Sequence, residues 1–281
     1  MYKTLISADV LMANLPDENW VVVDCCFDLG DTAAGRRHYE TSHIPGAVYA
    51  HLDEDLSGPP VTDYGRHPLP TPAAMTTLFG RLGIDERKQV VVYDANNGMY
   101  AARLWWMLHY MGHEAAAVLD GGWQAWQQAS FPIRSGVEKN RTAVFTGAPH
   151  HHWLVQMAEV PDVPLLVDSR GPARYRGEVE PIDARAGHIP GAVNYFYEEN
   201  WGEDGEPEAA SGRYLPPDQI RQKLEAVLGQ TPPDEVVFYC GSGVSACANI
   251  LAMAHAGLGY DRLYVGSWSE WSRYLENPVT K

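Results

Sequence analysis

Four blocks of sequence occur twice in this chain, in the same order and at similar intervals. Val21-Val22-Val23-Asp24 returns as Leu165-Leu166-Val167-Asp168, and His43-Ile44-Pro45-Gly46-Ala47-Val48 returns as His188-Ile189-Pro190-Gly191-Ala192-Val193. Gln89-Val90-Val91-Val92-Tyr93-Asp94 corresponds to Glu235-Val236-Val237-Phe238-Tyr239-Cys240. Leu119-Asp120-Gly121-Gly122-Trp123-Gln124-Ala125-Trp126 answers to Tyr264-Val265-Gly266-Ser267-Trp268-Ser269-Glu270-Trp271. Repetition on this scale means one folding unit written twice. A length of 281 residues gives each copy enough chain to bury a core of its own. The division expected is a first domain over 1–137, a connection over 138–147 and a second domain over 148–281. The polar, turn-prone stretch Ser135-Gly136-Val137-Glu138-Lys139-Asn140-Arg141 suits the junction.

Within each copy, short β-favouring runs alternate with helical stretches. This is the pattern of an α/β domain whose parallel sheet carries helices on both faces. In the first copy the strands fall near residues 21–24, 47–49, 90–93 and 116–119. Leu104-Trp105-Trp106-Met107-Leu108 lies in the helix after the third strand, and its aromatic pair reads as packing. The second copy runs from a helix near 153–158 to a last helix over 268–275.

The chemistry excluded by composition is broad. A net charge of −15 argues against nucleic acid or an anionic membrane as partner, because either calls for a basic face. No run of about eighteen apolar residues is present to span a bilayer, and the first residues lack the apolar core of a secretory signal. The four cysteines, 25, 26, 240 and 247, have no paired spacing for zinc, so no metal and a reducing cytoplasm are expected. His150-His151-His152 do not share a helix face and read as a solvated start to the second domain. A monomer is the expected state, since two such domains can cover each other.

The second copy differs from the first where chemistry can reside. Val236-Val237-Phe238-Tyr239 reads as a strand buried on both faces, and Ala246 to Ala256 as a helix closed by Gly257. Between them lies the six-residue turn Cys240-Gly241-Ser242-Gly243-Val244-Ser245. Gly241 and Gly243 lift the steric bar on positive φ, so successive backbone N–H groups can converge on one point. The helix N-terminus adds about half a positive charge there. A sulfur at position 240 is then favoured as the thiolate. A cysteine that merely packs has no use for two glycines and two hydroxyls around it. Cys247, two helical turns on, reads as core.

The segment Cys240-Gly241-Ser242-Gly243-Val244-Ser245-Ala246 resembles the active-site loop of the rhodanese superfamily. Its Cys-Gly-Ser-Gly form is similar to that of 3-mercaptopyruvate sulfurtransferases, whereas thiosulfate sulfurtransferases more often carry basic residues just after the cysteine. The resemblance spans nearly the whole chain and implies two tandem rhodanese-like domains. It also implies a sulfane sulfur carried on Cys240 as a persulfide, with no further cofactor, and moved from 3-mercaptopyruvate to a thiol or cyanide with release of pyruvate. Thioredoxin or a small dithiol is the acceptor it suggests. Asp94 takes the cysteine position of the first copy, and a carboxylate cannot hold sulfane sulfur, so one site is expected. The first domain is expected to serve as a wall of the cleft.

Further residues follow from the same resemblance. Gly241, Gly243, Val244 and Ser245 line the loop. An Asp–His–Ser relay would join His43 to Ser242 through an upstream aspartate, Asp31 in preference to Asp28. A substrate carboxylate calls for a guanidinium pair. Arg174, in Arg174-Tyr175-Arg176-Gly177, matches one family arginine. The second normally follows Glu-Pro, but Glu180-Pro181 is followed by Ile182, and Arg185 is the expected replacement. In His-Ile-Pro-Gly the last two residues fit a type II turn, and His188 is expected to be structural.

Three rivals remain. Thiosulfate:cyanide sulfur transfer shares the loop but would gain from cations beside the cysteine, and Gly241 and Ser242 offer none. A non-catalytic binding module has no need to keep Cys240. Cell-cycle dual-specificity phosphatases share the fold, but their loop is one residue longer and ends on arginine, where this chain has Ala246.

Overall fold

The computed structural model describes residues 1–60, 64–202, 212–259 and 262–281. The chain divides into two compact units that are not continuous in sequence. The first holds residues 1–58, 70–150 and 201–214, and the second holds 59–69, 151–200 and 215–281. The assignment of 59–69 and 201–214 differs from the expected linear division: each unit includes a segment that follows an edge strand of the other copy.

The first unit contains β1 (Leu5–Ile6), α1 (Ala8–Asn14), β2 (Trp20–Asp24), α2 (Ala34–Thr41), β3 (Val48–Tyr49), α3 (Pro72–Arg81), β4 (Gln89–Tyr93), α4 (Ala101–Tyr110), β5 (Ala116–Leu119) and α5 (Gly122–Gln128). The second contains β6 (Leu154–Val155), β7 (Leu165–Asp168), α6 (Pro172–Tyr175), β8 (Val193–Asn194), α7 (Pro217–Leu228), β9 (Val236–Tyr239), α8 (Ala246–His255), β10 (Arg262–Tyr264) and α9 (Ser267–Trp271). The sheets have orders β1-β5-β4-β2-β3 and β6-β10-β9-β7-β8, with every pair parallel. The two orders are the same, as duplication requires.

The repeated blocks recur because each makes the same buried contacts. β4 and β9 are buried along their whole length, which is why their sequences are continuous apolar runs rather than alternating ones. The Tyr93 hydroxyl accepts the Ile44 N–H at 3.2 Å, and the Tyr239 hydroxyl accepts the Ile189 N–H at the same distance. Gly46 and Gly191 take φ of +79° and +81°, the value a type II turn needs after proline. Trp126 donates its indole N–H to Pro132 O and Trp271 to Pro278 O, both at 2.9 Å. These indoles close the two cores. Trp105 and Trp106 are wholly buried, so the aromatic pair is packing.

The turn after β4 shows what an anion does in this architecture. The Asp94 carboxylate, wholly buried, accepts four backbone N–H groups: Asn96 and Gly98 at 2.7 and 2.8 Å on one oxygen, Tyr100 and Ala101 at 2.7 and 2.8 Å on the other. Burial pushes this carboxyl up, and the four donors pull it back only in part. Without the carboxylate the four N–H groups would face one another in a dry interior. Replacing Asp94 by Ala is expected to destabilise the first unit by about 2–4 kcal/mol. Urea unfolding followed by tryptophan fluorescence should show a lower midpoint, with a smaller loss for Asp94→Asn, which keeps an acceptor.

Candidate active site

Strand β9 delivers Cys240 to the start of the turn, and helix α8 begins six residues later at Ala246. The turn cannot close without Gly243. Its φ is +74°, and a Cβ there would lie 2.6 Å from Val265 O. Cys240 is 1% exposed. Its N–H donates to Ser267 Oγ at 3.1 Å, and its carbonyl accepts Trp268 N–H at 3.0 Å. Ser267, itself at φ +54°, is held by its hydroxyl bond to Tyr264 O at 2.8 Å. A buried hydroxyl thus fixes the backbone at position 240. Cys247 is buried with its sulfur 3.4 Å from Gly243 O, in keeping with a core role.

Ser242 finds a histidine, but not the one expected. His67 Nδ1 lies 2.7 Å from Ser242 Oγ, and both residues are buried. His43 is occupied in its own unit: Nδ1 bonds Tyr39 O at 2.7 Å, the ring stacks on Tyr39, and Nε2 faces Glu138 at 3.9 Å. His188 repeats this role, bonding Tyr175 O at 2.8 Å and stacking on Tyr175. The repeated histidine pins the helix before the His-Ile-Pro-Gly turn to the turn itself. Asp31 is exposed and pairs with Arg37. The expected Asp31–His43–Ser242 relay is therefore corrected: the side chain that engages Ser242 is His67.

The guanidinium pair also changes membership. A Cβ placed on Gly241 would lie 3.0 Å from an Arg66 nitrogen and 3.6 Å from one of Arg174, so both cations stand beside the turn. Arg174 bonds Glu180 at 2.7 Å and reaches Asp183 at 3.3 Å, and Arg66 pairs with Asp183 on the other side. Burial pushes the Asp183 carboxyl up, and Arg66 and Arg174 offset this only in part. Both arginines keep some exposure, 28% and 21%, so their remaining donors can face a ligand. Arg185 is committed elsewhere. It donates to the carbonyls of Ser272, Asn277, Trp271 and Tyr274 at 2.6–3.2 Å, tying down the chain after α9. Four bonds to fixed carbonyls correct its assignment to substrate.

Behind Arg174 lies Arg170, buried and clamped onto Asp168 through Nε and Nη2 at 3.0 and 2.6 Å. Burial works against its charge, but Asp168 and Glu180 hold the guanidinium well above its ordinary range. Arg66, His67 and Arg170 were all missed from the sequence. The first two sit in a Gly-Arg-His-Pro stretch outside the repeated blocks. Arg170 had one signal, an arginine two residues after the repeated aspartate where the first copy has Cys26.

Comparison with known proteins fits this geometry. The profile of the Rhodanese-like domain matches residues 7–129 and again 150–274. The chain belongs to the rhodanese family. A "Probable 3-mercaptopyruvate sulfurtransferase" of Pseudomonas aeruginosa is 44% identical over 98% of this chain and 97% of its own length. A "Thiosulfate sulfurtransferase" of Rattus norvegicus is 30% identical over 97% and 93%. Among solved structures, the 3-mercaptopyruvate sulfurtransferase from Leishmania major superposes with a TM-score of 0.84 at 32% identity, covering 99% of this chain and 76% of that one. This rhodanese-family chain is a sulfurtransferase. Among its described residues no helix is long and apolar enough to cross a membrane.

The Arg185 correction can be checked directly. Arg185→Ala should lower the thermal midpoint by removing four bonds to the C-terminal segment, and should leave KM for the sulfur donor near its original value. A raised KM with unchanged stability would return Arg185 to the substrate.

Proposed function

We propose that the donor is 3-mercaptopyruvate and that Cys240 carries the sulfur. The thiolate attacks the donor's sulfur, an S–S bond forms and the C3–S bond breaks. The bonding pair remains on carbon as the enolate of pyruvate. C3 then needs a proton. The hydrogen-bonded Ser242–His67 pair, 2.7 Å apart, can deliver one and be reset by the proton of the new persulfide. This contact carries the reading, because sulfite leaves thiosulfate as a stable dianion and needs no such proton.

The other parts have matching roles. Amides of the Gly241–Ser245 turn would stabilise the persulfide anion as the Asp94 loop stabilises a carboxylate. Arg66 and Arg174 would hold the donor's carboxylate, the task first given to Arg174 and Arg185. A thiol such as thioredoxin or a small dithiol, or cyanide, then takes the outer sulfur and restores Cys240. Four unbridged cysteines suit a reducing cytoplasm. A second reading, thiosulfate as donor, draws on the same two arginines: the cations that the loop's own sequence lacks are supplied by Arg66 and Arg174.

Steady-state kinetics with both donors separates these readings. Cys240→Ser should abolish transfer from either. His67→Ala and Ser242→Ala should lower kcat with mercaptopyruvate by about 100-fold or more, while thiosulfate turnover changes only a few-fold. Equal losses with both donors would remove the proton-delivery role.

Arg66→Ala and Arg174→Ala should each raise KM for mercaptopyruvate by about 10- to 100-fold, the effect of losing a charge-assisted bond of about 1.5–3 kcal/mol. An unchanged KM in both would move the carboxylate site elsewhere.

A further inference from the structure

The two copies treat one buried aspartate differently. In the second unit Asp168, at the end of β7, is neutralised by Arg170 two residues on. In the first unit Asp24, at the end of β2, has Cys26 at that position. Tyr39 and Tyr175 are equivalent, because each stacks on the repeated histidine and donates its hydroxyl to the carbonyl of the repeated alanine, Ala47 or Ala192. The residues before them, His38 and Arg174, are therefore equivalent too. Two arginines of the second copy are replaced in the first by a thiol and an imidazole.

The anion is kept while its cation is lost. Asp24 is wholly buried. One carboxylate oxygen, Oδ1, accepts the Cys26 N–H at 2.8 Å; the other, Oδ2, has no hydrogen-bond partner of good geometry among the described residues, although the Tyr93 hydroxyl and the Cys26 thiol both lie near the carboxyl. His38 Nδ1 is likewise buried without a partner. One ligand atom from each of Asp24, Cys26 and His38 lies within 4.8 Å of the others. Among the described residues this is the one group of three or more such side chains so placed.

We propose that Asp24, Cys26 and His38 bind a zinc-class divalent cation that takes over the charge-neutralising place held by Arg170 in the second unit. Sulfur, nitrogen and oxygen together select zinc over magnesium or calcium. Tetrahedral bonds of about 2.0–2.3 Å separate ligand atoms by about 3.3–3.8 Å, so a movement of about 1 Å closes the site. The fourth position is left for water. Binding releases the Cys26 thiol proton to solvent. No metal was expected because the four cysteines lack a paired spacing for zinc; Asp24, Cys26 and His38, the last twelve residues after Cys26 on α2, meet only through the fold.

The test uses full-length protein carrying Cys240→Ser, so that the reactive sulfur cannot coordinate, stripped of metal and titrated with Co²⁺. One equivalent should bind with a near-ultraviolet sulfur-to-cobalt charge-transfer band, and Zn²⁺ should displace it while raising the thermal midpoint. Cys26→Ser should remove the band, and His38→Ala should weaken binding by on the order of tenfold or more. Circular dichroism reports folding in each. If Cys26→Ser fails to fold, the half-buried His38 supplies the decisive variant. The proposal is overturned by the absence of the band, by a band that persists in folded Cys26→Ser, or by unchanged affinity in His38→Ala. Band-free binding that disappears on replacing His150, His151 and His152 by Ala would overturn it too, assigning the metal to that run.

Discussion

Backbone amides turned inward at the end of a buried strand need a negative charge, and the organisation of this molecule follows from that need. In the first unit the chain supplies the charge itself. The Asp94 carboxylate occupies the space that its four N–H groups surround, and no room is left for a transferable atom. In the second unit the turn is one residue shorter and a sulfur stands at the same strand end. A cysteine for the aspartate, with a turn shortened by one residue, separates a closed structural knot from a turn that begins on a thiol. The fully buried parallel strands make either outcome possible, because they set the Cα of position 94 or 240 against a rigid base.

Much of this was legible because duplication supplies an internal control. Blocks that recur in both copies report the fold: Tyr93 with Tyr239, Ile44 with Ile189 and Trp126 with Trp271 each make the same bond twice. A position that differs between copies reports specialisation, and Cys240 against Asp94 was visible on that ground alone. The same logic was not extended to His43, which was expected in a relay, and it argues against that role. A histidine present in both copies serves what both copies share, which is the stack on a tyrosine and the bond to its carbonyl. Only the second copy has a cysteine at this strand end, so a residue serving Cys240 has no reason to recur.

What stayed hidden came from segments that repeat nothing. His67 is 175 residues from Ser242 in sequence, and its stretch belongs to the unit formed largely by the other half of the chain. No periodicity or spacing encodes a contact of that range. Arg185 misled for another reason. It sits where a guanidinium was wanted, but a planar cation with five donors also suits the bare carbonyls that follow a short helix, and α9 ends beside it. Residue type narrows the chemistry a side chain can perform without choosing its partner.

Charge divides between the copies in a consistent way. The second unit keeps Arg170 and Arg174 in a network with Asp168, Glu180 and Asp183, and Arg66 joins it. Arg170 is sealed, stacked at 4.6 Å on Trp268, and cannot reach a ligand. Its work is to satisfy Asp168 and Glu180, which leaves Arg174 and Arg66 with donors to spare at the rim. A buried ion pair is costly in desolvation and adds little stability of its own. Here its use is positional: it fixes the acids that in turn aim the outer guanidiniums at the turn. The first unit, with an aspartate in place of the cysteine, carries Cys26 and His38 at the positions of Arg170 and Arg174. The buried aspartate is common to both copies because it serves the fold in both: Asp24 Oδ1 holds the N–H of Cys26 where strand β2 ends, as Asp168 Oδ1 holds that of Arg170 where β7 ends.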